Sequence, residues 1–501
     1  MTDFEAPAPQ QESKKCPVDS LPVELLANTF LTLKAMHSRV HHDRVHPTPY
    51  QITLSHVSRR WRAVAIQIPE LWTFLYIAHN HRRLERLDAF LTRSANQPLD
   101  IVIRWCPFGS PADLINPPRP RVTNAKREAE LWQAFFAKLV PHVQRWAIFD
   151  FGSDAWRHMH TALTALESTS APRLRSFSLR YYNVMDPVSN TDPAWPANSA
   201  CAPFSNGPLE LQELTVRAVR LDWPRCMFAG LRSLTLGRNS WGVRCPADEA
   251  LRILERSPHL ESLRLEDAVH LEDPVAPLEL HGLKELCVVQ RNWDETEWLP
   301  DRIIAPNLNA LTLLPVASQR PSPVNALTRV RATTGTSLLG PLRAFRFVPF
   351  RDELRLDQRR AFYEELRNIR VLILDTYTHT WSENLELMLD LIGSPTAVQH
   401  YLPNLTTLVF AIMDWSLVGL LVKSRSNTGT PLKKIICSTT CVDSDQMYPF
   451  VRDLEAFGTV EWPSVESPWD CTLADWLAFD AAVPGTGEFE DSCARVKCHL
   501  L

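Results

Sequence analysis

The sequence predicts an α/β protein: a short all-α module followed by a solenoid of β–α units whose parallel strands form a concave sheet. Three observations carry this. An apolar-x-x-apolar-x-apolar unit recurs ten times between Leu174 and Cys437. Stretches of helical periodicity separate several copies. Residues 19 to 77 show mainly amphipathic helical periodicity instead.

The first helix is expected over Leu21–Phe30. Pro22 sits where an early helical position tolerates it, Asp19-Ser20 are candidate caps, and Leu25, Leu26 and Phe30 form the apolar side. The second is expected within LSHVSRRWRAVAIQIPELW, Leu54 to Trp72, as one amphipathic helix with a stop. Leu54, Val57, Ser58, Trp61, Val64 and Ala65 recur at three- and four-residue steps and share a face, while Arg59, Arg60, Arg62 and Gln67 cover the other. Pro69 ends it, having no N–H and restraining the residue before it. Leu71 and Trp72 follow as an apolar anchor. Two short helices bury too little surface to be a stable domain alone. They read either as a hairpin packed on the chain or as a docking module completed by a partner's helices. The insert Lys34 to Tyr50 places His37 and His41, and His42 and His46, at i,i+4 spacing. With no Cys or Glu nearby to complete four ligands, it reads as a solvated loop and not a metal site.

Residues 78 to 140 form a linking α/β segment. A short strand Phe74–Ile77 precedes a helix His81–Arg93, a strand Leu99–Trp105, a Pro-rich loop 107–120 and a helix Ala125–Lys138. Leu131, Phe135 and Leu139 mark the apolar side of the last helix. The basic set Arg119, Arg121, Lys126 and Arg127 reads as solvated surface.

The repeats occupy residues 141 to 456. Their leading residues are Leu174, Leu211, Leu231, Leu260, Leu283, Leu308, Leu342, Ile369, Leu405 and Leu432, spaced 20 to 37 residues apart. Val143-Trp146-Ile148 is an earlier, weaker copy. In each unit the last two apolar residues alternate along a strand into one core, and the first closes the turn before it. Pro172, Pro258, Pro306, Pro341, Pro403 and Pro431 lie just ahead of six of these leading residues and stop the preceding helix. Helices are expected at Asp248–Arg256 and Asn384–Ile392.

Residues flanking the strand apolars would line the open face of the stack. The early copies expose Arg180, Arg217 and Arg264; later ones present Val289, Leu314, Arg346, Val348 and Ile373. This face suits a protein target, with the arginine column reading acidic or phosphorylated side chains and the apolar half packing beside them. The chain's own residues 457 to 501, with Trp462, Trp469 and Trp476, are the rival cover, or a cap for the last repeat.

Composition narrows the function classes. Lys plus Arg number 53 against 57 Asp plus Glu, a net charge of −4, so nothing global points to nucleic acid or a membrane surface. The polar N-terminus, residues 1 to 18, reads as a disordered tail and not a signal peptide, and no run approaches a membrane span. Eleven scattered Cys without a Cys-x-x-Cys pair suit reduced thiols in the cytoplasm or nucleus. Cys498 at the C-terminus lacks the rest of a prenylation box. No Gly-rich phosphate loop, Gly-x-Ser-x-Gly elbow or His-Glu-x-x-His helix is present, so no catalytic residue, metal or cofactor is assigned and the chain does not read as an enzyme.

LPVELL, Phe30, LSHVSRRWRAVA and PELW, in that order and spacing, resemble the F-box-like domains of fungal proteins. The long insert and Thr29 depart from that pattern. The ten units resemble the degenerate leucine-rich repeats found behind many F-boxes. The resemblance implies a substrate receptor of a Skp–cullin–F-box ubiquitin ligase, which does no chemistry itself. Leu21, Pro22, Leu25, Leu26, Phe30, Leu54, Val57, Trp61 and Leu71 would then meet the Skp-family adaptor of the cullin ligase core, and the repeats an unknown protein substrate. Trp61 equally suits packing against the first repeat. The other reading is a leucine-rich-repeat scaffold outside any ligase.

Overall fold

The computed structural model describes residues 17–40, 50–78, 84–105, 125–182, 200–205, 210–237, 245–266, 277–290, 303–315, 327–328, 335, 337–347, 356–374, 390–392, 401–410, 415–437 and 459–460. The chain divides into two compact units, one of residues 1–76 and 83–99, the other of 77–82 and 100–501.

The first unit is helical. Helix α1 is Val23–Val40, α2 is Tyr50–Val57, α3 is Arg59–Ile66 and α4 is Leu84–Arg93. Helix α1 thus runs ten residues past Phe30, so the expected loop is helical through Val40; His41, His42 and His46 lie outside the described residues. The expected single helix after Leu54 is broken. Ser58 takes an extended conformation (φ −154°) and its Oγ accepts the Trp61 N–H at 3.1 Å, capping α3. A serine with that choice gains more as a cap than as one more helical residue. The stop at Pro69 is as expected: Ile68 is extended before it, and Pro69–Trp72 form a 3₁₀ turn.

Leu26, Phe30, Leu54, Val64, Leu71 and Trp72 fill the core of this unit. The Trp72 indole N–H donates to the Ala65 carbonyl at 2.8 Å. Its ring meets Phe90 edge-on at 5.1 Å, and the Arg93 guanidinium lies 4.3 Å from the ring centroid. Lys34 Nζ donates to the Glu70 carbonyl and Thr73 Oγ1, both at 2.8 Å, fastening α1 to the 3₁₀ turn. Arg60, expected on the solvent face, instead donates to the Val18 and Leu21 carbonyls.

The second unit is α/β, built on a 14-stranded sheet whose order begins with β1 (Phe74–Ala78). The other strands are β2 (Leu99–Trp105), β3 (Trp146–Ser153), β4 (Ser176–Tyr181), β5 (Glu213–Arg217), β6 (Ser233–Gly237) and β7 (Ser262–Glu266). A two-residue strand β8 (Leu278–Glu279) pairs with β10 (Ile303–Ile304) apart from it. The main sheet continues with β9 (Glu285–Gln290), β11 (Ala310–Pro315), β12 (Ala344–Phe347), β13 (Val371–Leu374), β14 (Thr407–Phe410), β15 (Lys434–Cys437) and β16 (Thr459–Val460). From β3 on, each strand pairs in parallel with the next one in this order. All ten expected strands are present. Helices α5 (Ala125–Leu139), α6 (Trp156–Leu166), α7 (Ala247–Glu255), α8 (Leu356–Glu365) and α9 (Trp415–Asn427) lie between strands.

The register aligns the repeat residue by residue. Phe149, Phe177, Leu214, Leu234, Leu263, Leu286, Leu311, Phe345, Leu372, Leu408 and Ile435 form one column of partners. Each leading residue is buried and many close a tight turn, as in Leu174 N–H to Ala171 O and Ile369 N–H to Leu366 O. The carbonyl just after it accepts two N–H groups from the next unit: Arg232 receives Glu261 and Ser262, and Arg343 receives Arg370 and Val371. The same pair of bonds recurs from the Arg175 carbonyl to that of Thr406, so each of these units enters the sheet clamped to its predecessor.

One unit is corrected. In the weak first copy the core pair is Phe149 and Phe151, which pair with Phe177 and Leu179, and Trp146 takes the leading place. The alternative, Val143-Trp146-Ile148, would put Ile148 in the core. Stacking of Trp146 on Phe149 (4.6 Å) and of Trp132 on Phe151 (5.0 Å) selects the observed register. The helix Asp248–Arg256 appears as α7. Most of Asn384–Ile392, and residues 1–16, 107–120 and the C-terminal segment apart from β16, lie outside the described residues. No helix among the described residues is long and apolar enough to cross a membrane.

Candidate functional site

In the helical unit, the nine candidate adaptor residues separate by exposure. Leu26, Phe30, Leu54 and Leu71 are buried in the unit's own core and present no surface. Leu25 is 52% exposed and Val57 56% exposed, large values for aliphatic side chains. Pro22 is exposed, Leu21 is half-buried, and Trp61 is half-buried with its ring 5.0 Å from Phe30. Val57 was expected on the inward face with Leu54. The break at Ser58 turns it outward, because Val57 ends one helix and no longer continues into α3. Val23 and Ile66 are further exposed apolar side chains that periodicity alone did not single out.

In the sheet unit, the arginine column is ion-paired. Arg104 on β2 and Arg180 on β4 both hold the buried Asp150 carboxylate of β3, at 2.6 and 3.6 Å. Arg217 on β5 and Arg264 on β7 share Glu266, at 3.1 and 2.5 Å. Each group is an arginine–carboxylate–arginine triad. Burial opposes the charge on Arg264, but Cys287 and Glu266 beside it hold the guanidinium above its ordinary range. Glu266 flanks the same strand apolars as Arg264 and is legible as an open-face residue in the sequence, whereas Asp150 is not singled out there. Their signal is an acidic residue at a strand position occupied by Ser, Thr or Gly in neighbouring units.

The later candidates lie differently. Arg346 and Ile373 are buried, as are Val371, Thr407, Val409 and Ile436, so the sheet is covered on both faces there and these residues offer no open surface. Val289 and Leu314 are half-buried; Val348 lies outside the described residues.

A serine and a histidine also meet: Ser153 Oγ is 3.4 Å from His158 Nδ1. Both are fully buried, and Ser153 Oγ caps the Ala155 N–H and contacts the Trp105 carbonyl. The hydroxyl's printed contacts are all within the fold. No group of three or more metal-ligating side chains occurs among the described residues. The chain matches no family model, and no curated protein is similar to it.

Proposed function

We propose that this protein is the substrate-recognition subunit of a Skp–cullin–F-box ubiquitin ligase, acting in the cytoplasm or nucleus. Its helical unit is an F-box-like module that docks the Skp-family adaptor. Its in-order parallel sheet is the concave lining of a leucine-rich-repeat-like solenoid that holds a protein target. The observation that carries the adaptor half is the outward placement of Leu25 and Val57 on helices whose inward residues already fill a core. Exposed apolar side chains of that size suit a helix-to-helix interface. Tethering a target beside a charged ubiquitin carrier raises its effective concentration without any chemistry in this chain.

The test is co-purification of the full chain with a Skp-family adaptor, compared with the Leu25→Asp/Val57→Asp variant. Both positions are exposed, so the variant keeps its fold. Binding by the intact chain and loss in the variant is the expected result; no binding by the intact chain overturns the reading. A scaffold outside any ligase is the second reading. It is favoured by the burial of Leu26, Phe30, Leu54 and Leu71, which gives the helical unit a core of its own.

A further inference from the structure

Each unit enters the sheet through the residue just after its leading one, and in the later units these residues form a ladder. The N–H of Arg343 donates to the Asn309 carbonyl at 2.8 Å, that of Arg370 to Arg343 at 2.7 Å, that of Thr406 to Arg370 at 2.9 Å and that of Lys433 to Thr406 at 2.8 Å. Neighbouring rungs are therefore about one strand spacing, 4.8 Å, apart. Arg343, Arg370 and Lys433 are exposed, whereas the residue after each, Ala344, Val371 and Lys434, is buried. The row runs along the rim where the strands begin; Arg180 and Arg217 sit at the other end of theirs.

In the middle of the sheet this row is neutralised from within. Glu261 holds Arg232 at 3.0 Å and Lys284 at 2.5 Å. The later rungs have no such carboxylate: residues 340–344, 367–371, 403–407 and 430–434 include no Asp or Glu. Arg343, Arg370 and Lys433 have no ion pair among the described residues. Glu364 and Glu365 end α8 just ahead of this rim, and Glu365 already accepts the Ser337 hydroxyl. Like charges on facing positions repel, so Arg343 beside Arg370 is a cost that an anion lying across both would relieve.

One stretch of the sequence answers that charge. From Glu461 to Asp491 there are eight carboxylates and no Lys or Arg. That −8 against the chain's net −4 leaves +4 on the other residues. The stretch follows directly on β16, whose Thr459 pairs with Lys434, so it starts close to the last basic rung. From β12 to β15 is about 14 Å, three strand spacings, a distance that about five extended residues cover.

We propose that the acidic segment 461–491 docks along this rim, its carboxylates lying across Arg343, Arg370 and Lys433, so that the chain covers its own basic row. This rests on neither the adaptor half nor the target half of the reading above.

The test is carbodiimide coupling of the full-length protein, which joins a carboxylate to a lysine amine only where the two are in contact. The linked peptides of the monomer band are then mapped by mass spectrometry. The expected product is an amide between Lys433 and a carboxylate of residues 461–491. Its yield should fall about fivefold in Arg343→Gln/Arg370→Gln, whose changes are both at exposed positions. It should fall likewise at about 1 M salt, where the screening length is about 3 Å. No link from Lys433 to this segment, a link found only in the dimer band, or a yield unchanged in the variant or at high salt overturns the proposal.

Discussion

Arg217 on β5 and Glu266 on β7 form an ion pair of 3.1 Å although a whole strand, β6, lies between them. The residue of β6 in register with both is Gly237. Only a residue without a side chain lets the two meet over the intervening strand. A Cβ at Gly237 would stand 2.6 Å from Glu266 Oε2 and 3.2 Å from both Arg217 Cγ and Glu266 Cβ. The same logic recurs at Gly152, over which the Tyr182 ring lies.

Gly237→Ala is therefore expected to part the pair and force Glu266 to another rotamer. The cost should be about 1–3 kcal/mol, as for an extra methyl in a packed site, read from urea unfolding followed by tryptophan fluorescence. A change within a few tenths would show that the pair does not depend on the glycine.

These relationships also mark the limit of what the sequence makes legible. The ten strands were readable because each unit carries its own apolar triplet, a local signal. The Arg217–Glu266 pair joins residues 49 apart, so it exists only once the register is known. Arg180 and Arg217 looked free because their carboxylates, Asp150 and Glu266, sit on other strands. At Trp146 two registers satisfied the same triplet, and aromatic stacking from α5 decided between them. At Ser58 the apolar periodicity ran unbroken through the serine, while the local cap bond broke the helix. At Arg346 and Ile373 strand alternation placed the side chains on the correct face, but not whether that face is open.

Ser58→Ala should remove the cap of α3 and cost about 1 kcal/mol, whereas Ser58→Asp keeps an acceptor for the Trp61 N–H and should stay within a few tenths. Hydrogen exchange of the α3 amides separates the two. Equal protection in both variants would show that the break between α2 and α3 does not rest on this bond.

Arg425 is fully buried on α9 with no carboxylate partner among the described residues. It donates to the carbonyls of Thr430, Tyr401, Leu402 and Leu405, and burial lowers its pKa to about 10. It thereby ties α9 to the turn that leads into β14. Arg425→Met fills the volume but strands these acceptors, at an expected cost of about 2–4 kcal/mol. Arg425→Lys should fare little better, since a point-like ammonium lacks the planar fork. Urea midpoints of both variants near that of the parent would refute this role.

The buried thiols predict an alkaline limit. Burial, then the neighbouring Asp222 carboxylate, pushes the Cys226 pKa from 9.0 up to about 12. Burial pushes Cys201, Cys245 and Cys287 in the same direction. The sign follows from linkage: with the folded pKa above the unfolded one, the unfolded chain releases its proton first. The thiol's contribution is fully present below pH 9.0 and is lost as pH climbs towards about 12. Stability should thus be flat in this respect up to about pH 9 and decline above it, and Cys226→Ala should flatten part of the decline. Peptide-level alkylation at pH 8 gives an independent reading: all four thiols should stay unlabelled in the native protein and label within minutes in urea. Rapid native labelling of Cys226, or an alkaline decline unchanged in Cys226→Ala, would refute the assignment.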